Sequence, residues 1–137
     1  MSTPEPKKRL TDLELAIMQV VWDRHPDPLT VRDVLERMSA VGQSLAYTTV
    51  QTMMNILRKK GVLTSRPGPG RAHEYSACVS RSQARSSMTN DLVERLFLGE
   101  AQPLVAHLIE HDSMTRGELQ DLKRMIDLHL KDEEAGQ

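Results

Sequence analysis

The segment from Leu45 to Lys60, LAYTTVQTMMNILRKK, carries hydrogen-bonding and basic side chains at helical spacing. At about 100° per residue, one side of such a helix collects the apolar residues Ala46, Val50, Met53, Met54 and Leu57. The other side collects Tyr47, Thr48, Gln51, Thr52, Asn55, Arg58 and Lys59. Amides and hydroxyls can bond base edges in a DNA groove, and basic groups can meet phosphates. The spacing therefore predicts a helix with a nucleic-acid-contacting face.

Each residue type on this face suggests a particular contact. The amide of Gln51 can bond adenine N6 and N7 together, which makes it the first candidate for direct base readout. Thr48 and Thr52 can offer hydroxyls, or methyl groups to thymine, while Tyr47 is better suited to a phosphate. Further along, Arg58, Lys59 and Lys60 are expected to meet the DNA backbone. The alternative is a surface helix whose polar residues are merely solvated.

A basic hairpin is predicted directly after this helix. Beyond Gly61, two short runs surround a Pro-Gly-Pro-Gly turn, and they predict strands over Val62–Arg66 and Arg71–Ala77. Arg66 and Arg71 flank the turn, where they could contact phosphates or an adjacent minor groove. A polar-faced helix followed by a basic hairpin is typical of a winged helix-turn-helix.

Three threonines predict the starts of the helices that must position this face. Thr11, Thr30 and Thr115 are each followed three residues later by an acid, which is the pattern of a capping box. We expect a first helix over Asp12–Arg24 and a second over Val31–Ala40, with Ser44 capping the third. These elements would form the winged helix-turn-helix.

The C-terminal part predicts three short amphipathic helices, with Gly99 ending one and Pro103 in the first turn of the next. Such helices have too little depth to bury their own apolar faces, so we expect a homodimer. The predicted dimerisation residues are Leu92, Leu96, Phe97, Leu104, Leu108, Leu119, Leu122, Ile126 and Leu130. Residues 131–137 are expected to fray.

The predicted fold is therefore mainly α with a small β-wing. Residues 1–79 would form a winged-helix DNA-binding domain, and residues 80–137 a helical dimerisation domain. Aromatic residues make up only 3% of the 137 residues, so the core must be aliphatic and rich in methionine.

Composition also limits the cellular setting and the cofactors. No apolar run of about 18 residues exists, and the first ten residues lack the apolar stretch of an export signal, so we expect a cytoplasmic protein. The lone Cys78 excludes an internal disulfide and a cysteine-cluster metal site, and we expect it to be a small buried residue rather than a redox switch. No cofactor is predicted.

Charge is distributed unevenly along the chain, although the net charge is only −1. Residues 1–85 contain 13 basic and 8 acidic residues, whereas residues 86–137 contain 5 and 11, giving +5 and −6. This asymmetry favours an anion-binding module joined to an acidic one, although chance clustering on a solvated surface would produce the same counts.

Taken together, the motifs resemble the BlaI/MecI/CopY penicillinase-repressor family of winged-helix proteins, most closely its BlaI branch. The first helix of the family is similar to LTDLELAIMQVVW, its recognition helix to TTVQTMMNILRKKG, and its wing to GRAHEYSA. Its dimerisation region is similar to LFLGEAQPLVAHLIEHDSMTRGELQDLKRMI. The resemblance extends over about Leu10 to Leu130.

The resemblance implies a homodimeric repressor of β-lactamase and antibiotic-response genes that binds palindromic operators. It also implies release by proteolysis after a membrane β-lactam sensor with a metalloprotease domain is activated. The matching bond here is His107–Leu108, where the well-known family version has an Asn-Phe pair. The copper-responsive branch has a C-terminal cysteine cluster that this chain lacks, so copper sensing is not expected.

Other functional classes find less support in the sequence. An enzyme is not expected, since no phosphate-binding glycine loop, nucleophile elbow or paired carboxylates beside a histidine occur. A winged helix that binds only proteins would not need the basic excess of residues 42–85. A repressor that responds to a metal or small molecule instead of proteolysis rests on His107 and His111, which are four residues apart. No metal site is predicted from this pair.

Overall fold

A computed structural model of the chain describes residues 9–111 and 113–136. These residues form six helices and one two-stranded antiparallel sheet. The elements are α1 (Asp12–Arg24), α2 (Val31–Ala40), α3 (Tyr47–Lys59), β1 (Leu63–Pro67), β2 (His73–Ala77), α4 (Arg81–Leu96), α5 (Ala101–Glu110) and α6 (Arg116–Ala135). The predicted fold class, mainly α with a small β-wing, is confirmed.

The chain divides into two compact units, Met1–Met88 and Thr89–Gln137, and the division falls inside α4. The functional boundary predicted between residues 79 and 80 stays a prediction. The prediction that the N-terminus is no export signal concerns the first ten residues, and residues 1–8 of these lie outside the described residues.

All three predicted capping boxes are present. At each of Thr11, Thr30 and Thr115, the hydroxyl accepts the amide N–H of the third helical residue, whose carboxylate accepts the threonine's own amide N–H. At Thr11 the two distances are 3.2 and 2.9 Å. These interactions are local, which explains why α1 and α2 have the predicted bounds.

The predicted cap of α3 is wrong. Its N-cap is Ala46, in extended conformation and without a side-chain hydrogen bond, and Ser44 lies two residues earlier. Because alanine has no side-chain oxygen, the first amides of α3 have no side-chain acceptor. The helix is instead held in place through its buried face.

The core of the first unit is aliphatic and rich in methionine, as predicted. Its fully buried side chains are Ile17, Met18, Val21, Leu29, Val34, Met38, Val50, Met54, Leu57 and Leu63. Trp22 joins them, and its indole N–H donates to the carbonyl oxygen of Val79 at 2.9 Å. Truncating one such side chain to alanine typically costs about 2–5 kcal/mol. Burial of this size positions α3 despite its weak start.

The wing is the β1–β2 hairpin, paired from Leu63 opposite Ala77 to Pro67 opposite His73. Gly70 has φ +73°, a left-handed conformation that glycine adopts most easily. At Gly68 a Cβ would lie 2.7 Å from the Glu74 side chain, so glycine permits the close approach. The strands occupy slightly different positions from the predicted ones, since β1 ends at Pro67 and β2 begins at His73.

A backbone bridge fixes the wing to the rest of the first unit. Leu29 and Tyr75 exchange two hydrogen bonds, of 2.9 and 2.8 Å, just before α2 begins. The hairpin therefore has a partner on its β2 side, although a two-stranded hairpin alone is only marginally stable.

The second unit contains the end of α4 and all of α5 and α6, and no residue of these helices is buried. Gly99 follows the end of α4 with φ +84°, and Pro103 lies in the first turn of α5, both as predicted. The predicted fraying from Lys131 is wrong, because α6 continues to Ala135. His129 and Glu133, 3.5 Å apart, support this last part at helical i,i+4 spacing; Gln137 lies outside the described residues.

Candidate nucleic-acid interface

The predicted polar face of α3 lies at the surface. Val50, Met54 and Leu57 are fully buried, so the opposite side of the helix faces outwards. Its outward side chains are Tyr47, Thr48, Gln51, Thr52, Arg58 and Lys59. Amides, hydroxyls and two cations are thus available to a partner along a continuous helical surface.

Gln51 lies beside the wing. Together with Tyr47 it lines a cleft of about 120 Å³ between α3 and the hairpin, which we name the helix–wing cleft. The remaining lining residues are Val31, Arg71, Ala72, His73 and Tyr75. The fold therefore brings together three predicted residues that are up to 24 positions apart in sequence, Tyr47, Gln51 and Arg71.

Asn55, also predicted to contact DNA, has a partner inside the fold. Its side-chain oxygen accepts the hydroxyl of Tyr75 at 3.4 Å, and its side chain is partly buried. Its two amide N–H groups stay available to donate to another partner. The same contact joins α3 to β2.

The two arginines of the wing differ in their electrostatic surroundings. Arg66 lies opposite Glu74 in the hairpin, with Nε 3.6 Å from its carboxylate. Arg71 is exposed and has no ion pair among the described residues. Arg71 therefore offers its full charge, whereas that of Arg66 is partly compensated.

Lys60, which we expected to meet the DNA backbone, is engaged by groups inside the fold. Its ammonium group lies 2.6 Å from a carboxylate oxygen of Glu14 and 2.7 Å from the carbonyl oxygen of Arg9. Glu14 is only 3% exposed, so this pair is largely enclosed. Lys60 therefore joins the end of α3 to the start of α1.

Two cationic or ionisable residues near this face were missed from sequence. Arg32, in the first turn of α2, has its guanidinium carbon 5.9 Å from the ring centroid of Tyr47. His73 lines the helix–wing cleft from the wing. Neither carries a sequence signal of its own, because each is brought to α3 only by tertiary packing.

Cys78 is exposed, so the expectation of a buried residue is wrong. It follows the last residue of β2, and its amide N–H donates to the carbonyl oxygen of Val62 at 2.8 Å. Its side chain lines an open cavity of about 420 Å³ together with Trp22 and Arg81. Arg81 is engaged there by Asp23 at 2.7 Å.

His107 in α5 and His111, which follows the end of that helix, are stacked, with ring centroids 4.0 Å apart. Nδ1 of His111 lies 3.0 Å from the carbonyl oxygen of His107. Among the described residues, no group of three or more histidine, cysteine, aspartate or glutamate side chains could hold a metal ion. The His107–Leu108 bond, predicted as the cleavage site, lies inside α5.

The predicted dimerisation residues are all at least partly accessible. Exposed members of the set are Leu92, Leu96, Leu108, Ile126 and Leu130, and partly buried ones are Phe97, Leu104, Leu119 and Leu122. Within the part of the chain that the structure describes, no helix is long and apolar enough to cross a membrane.

Known proteins are similar to this chain over most of its length. The family model described as penicillinase repressor matches residues 10–128. The transcriptional regulator BlaI of Mycobacterium tuberculosis is 38% identical over 103 residues, covering 74% of this chain and 72% of that protein. These matches confirm the prediction of a transcriptional regulator rather than an enzyme.

Two solved structures are also similar. A solution structure of the DNA-binding domain of the repressor BlaI has 28% sequence identity and a TM-score of 0.47, and the match covers 55% of this chain and 87% of that one. A solution structure of monomeric Bacillus licheniformis BlaI in complex with the blaP half-operator has 30% identity and a TM-score of 0.44, covering 54% and 85%. From the family match and the relative of M. tuberculosis, this chain belongs to the penicillinase repressor family and is a DNA-binding transcriptional repressor.

Proposed function

We propose that this repressor acts as a homodimer on an inverted-repeat operator of β-lactamase or other antibiotic-response genes. Each protomer would insert α3 into a major groove and rest its wing on the adjacent backbone. The observation that carries this proposal is the exposed polar face of α3 opposite the buried Val50, Met54 and Leu57. The division of labour would follow the predicted domains, with residues 1–79 binding DNA and residues 80–137 forming the dimer.

Contacts to bases would come from the middle of α3. The amide of Gln51 can donate to adenine N7 and accept from adenine N6, and Thr48 and Thr52 lie beside it on the exposed surface. Asn55, whose oxygen accepts one hydrogen bond from Tyr75, would add a donor through its amide N–H groups.

Contacts to phosphates would come from both sides of these base-contacting residues. Tyr47 lies at the start of α3, and Arg58 and Lys59 lie near its end. Arg66 and Arg71 would act from the wing. The first amide N–H groups of α3, which no side chain caps, could also donate to a phosphate, because the N-terminus of a helix favours an anion.

Dimerisation would bury the apolar side chains of α4, α5 and α6. Leu96 is 66% exposed and Leu130 is 52% exposed, although these are large hydrophobic residues. Exposed apolar patches of this kind usually mark an interaction site. A second copy of the chain is the partner that a palindromic operator requires, because its symmetry mirrors that of the protein.

Release of the operator would follow cleavage in α5, through a pathway that begins with a membrane β-lactam sensor. The predicted bond, His107–Leu108, lies within a ten-residue helix that has no buried residue and no side-chain cap at its start. Short helices without buried contacts open locally at little free-energy cost. Opening would present the extended backbone that a protease needs.

Selection of bound duplexes from a random DNA pool by the purified protein tests this function. Enrichment of an inverted repeat would support a dimeric operator binder, and the half-site spacing would give the distance between the two α3 helices. Salt-sensitive binding without any enriched sequence would contradict the base-contacting role of α3. Sedimentation of the full chain over a concentration series tests the dimer independently of DNA.

A further inference from the structure

The lining of the helix–wing cleft is rich in hydrogen-bond donors. Tyr47 contributes a hydroxyl, Gln51 an amide, Arg71 a guanidinium and His73 an imidazole. Among the residues that the structure describes, no carboxylate lines the cleft. Such a set of groups, with one fixed positive charge and no negative one, favours an anion.

The alternation of side chains along β2 explains why no acid enters the cleft. His73 and Tyr75 both line it, whereas Glu74 between them is paired with Arg66. Successive residues of a strand point to opposite faces, so the acid and its partner lie on the other face of the hairpin.

One residue of the cleft lining, Tyr75, is anchored to the rest of the fold. Tyr75 is only 6% exposed, donates its hydroxyl to Asn55 on α3, and exchanges two backbone hydrogen bonds with Leu29. The wing is therefore attached both to α3 and to the segment before α2. A preformed site loses less conformational freedom on binding than one that must first be ordered.

We propose that the helix–wing cleft seats one phosphate of the DNA backbone and that His73 is one of its ligands, together with Tyr47 and Arg71. The guanidinium of Arg71, the hydroxyl of Tyr47 and the imidazole of His73 supply the positive charge and the hydrogen-bond donors that a phosphate group requires. This inference rests on the proposed placement of α3 in the major groove. His73 thereby becomes a DNA-contacting residue that reads no base.

The test combines His73 variants with duplexes that carry one neutral methylphosphonate at a time, on a single selected half-site. His73→Ala should weaken binding about 3- to 10-fold, the effect of one phosphate hydrogen bond. His25→Ala is the matched control, because His25 is exposed in the same unit but lines the cavity beside Cys78. The affinity of this variant for DNA should be unchanged.

At one phosphate per half-site, neutralisation should weaken the native protein but cause no further loss in His73→Ala, because the contact is already gone. If neutralisation of each phosphate weakened binding by the same factor in the native protein and in His73→Ala, the proposal would be overturned. His73→Gln should leave the selected base sequence unchanged, whereas a changed base preference would make His73 a base reader and also overturn it.

A second measurement distinguishes a DNA phosphate from a free phosphate ion. Inorganic phosphate is titrated into the DNA-free protein at constant ionic strength while the imidazole signals are followed by NMR. The site would be one for a small anion, and the proposed DNA contact would be refuted, if phosphate saturated the shift of the His73 signal while His73→Ala showed no dependence on any neutralised phosphate of the duplex. If the pool selection yields no site at all, the proposed function fails. If a site is selected but no phosphate depends on His73, only the inference about the helix–wing cleft fails.

Discussion

Replacing Lys60 by methionine removes the cation that lies against a buried carboxylate. Glu14 is 3% exposed, and the Lys60 side chain is 21% exposed. Removal of one partner of a fully enclosed pair typically costs 3–5 kcal/mol. Because Lys60 is partly solvated and Thr11 still donates its amide N–H to Glu14 at 2.9 Å, we expect a smaller loss of about 2–3 kcal/mol in the free energy of unfolding.

Lys59→Met is the matched control, since Lys59 is the neighbouring residue and lies exposed on α3. It should change the free energy of unfolding by no more than about 0.5 kcal/mol. Urea unfolding at one fixed protein concentration measures both variants, because the stability of an oligomer depends on concentration.

In DNA binding, by contrast, Lys59→Met should have the larger effect of the two variants. Lys59→Met should lower the slope of log affinity against log salt by about 0.9, the contribution of one phosphate contact, whereas Lys60→Met should leave the slope unchanged. A stable Lys60→Met protein with a reduced salt slope would refute the assignment of Lys60 to the fold rather than to DNA.

Two further predictions concern the base-contacting residue and the unit boundary. Gln51→Ala should cost about 1–3 kcal/mol on the selected operator and relax preference at one base pair per half-site; an unaltered preference in a repeated pool selection would exclude Gln51 as a base reader. A fragment of residues 1–88 should be folded and monomeric, and it should melt higher than a fragment of residues 1–77. The shorter fragment lacks the Val79 carbonyl that accepts the Trp22 indole and the Arg81 side chain that pairs with Asp23. Equal melting temperatures, or a dimeric longer fragment in sedimentation, would contradict these assignments.

Features that depend on neighbouring residues could be predicted from the sequence. The capping boxes at Thr11, Thr30 and Thr115 involve groups three residues apart, and the exposed face of α3 follows from helical periodicity. The prediction of Ser44 as the cap was wrong because the backbone becomes helical only after Ala46, two residues beyond this good capping residue.

Features that depend on distant residues could not be predicted. Lys60 and Glu14 are 46 positions apart, and Tyr75 and Asn55 are 20 apart. In sequence, Lys60 is simply the last of three consecutive basic residues. Only the packing of α1 against α3 distinguishes it from Lys59, just as only the pairing of the wing brings His73 beside Gln51.

The alanine that precedes α3 links the stability of the free protein to its proposed binding of DNA. A serine or aspartate at position 46 would stabilise the unbound protein by about 1 kcal/mol by capping the first turn. Its side-chain oxygen would occupy the same N–H groups that favour an anion, and an aspartate would add a negative charge beside the polyanion. On the proposed mode of DNA binding, a capping side chain at position 46 would therefore stabilise the free protein but weaken its binding to the operator, whereas Ala46 leaves these N–H groups available.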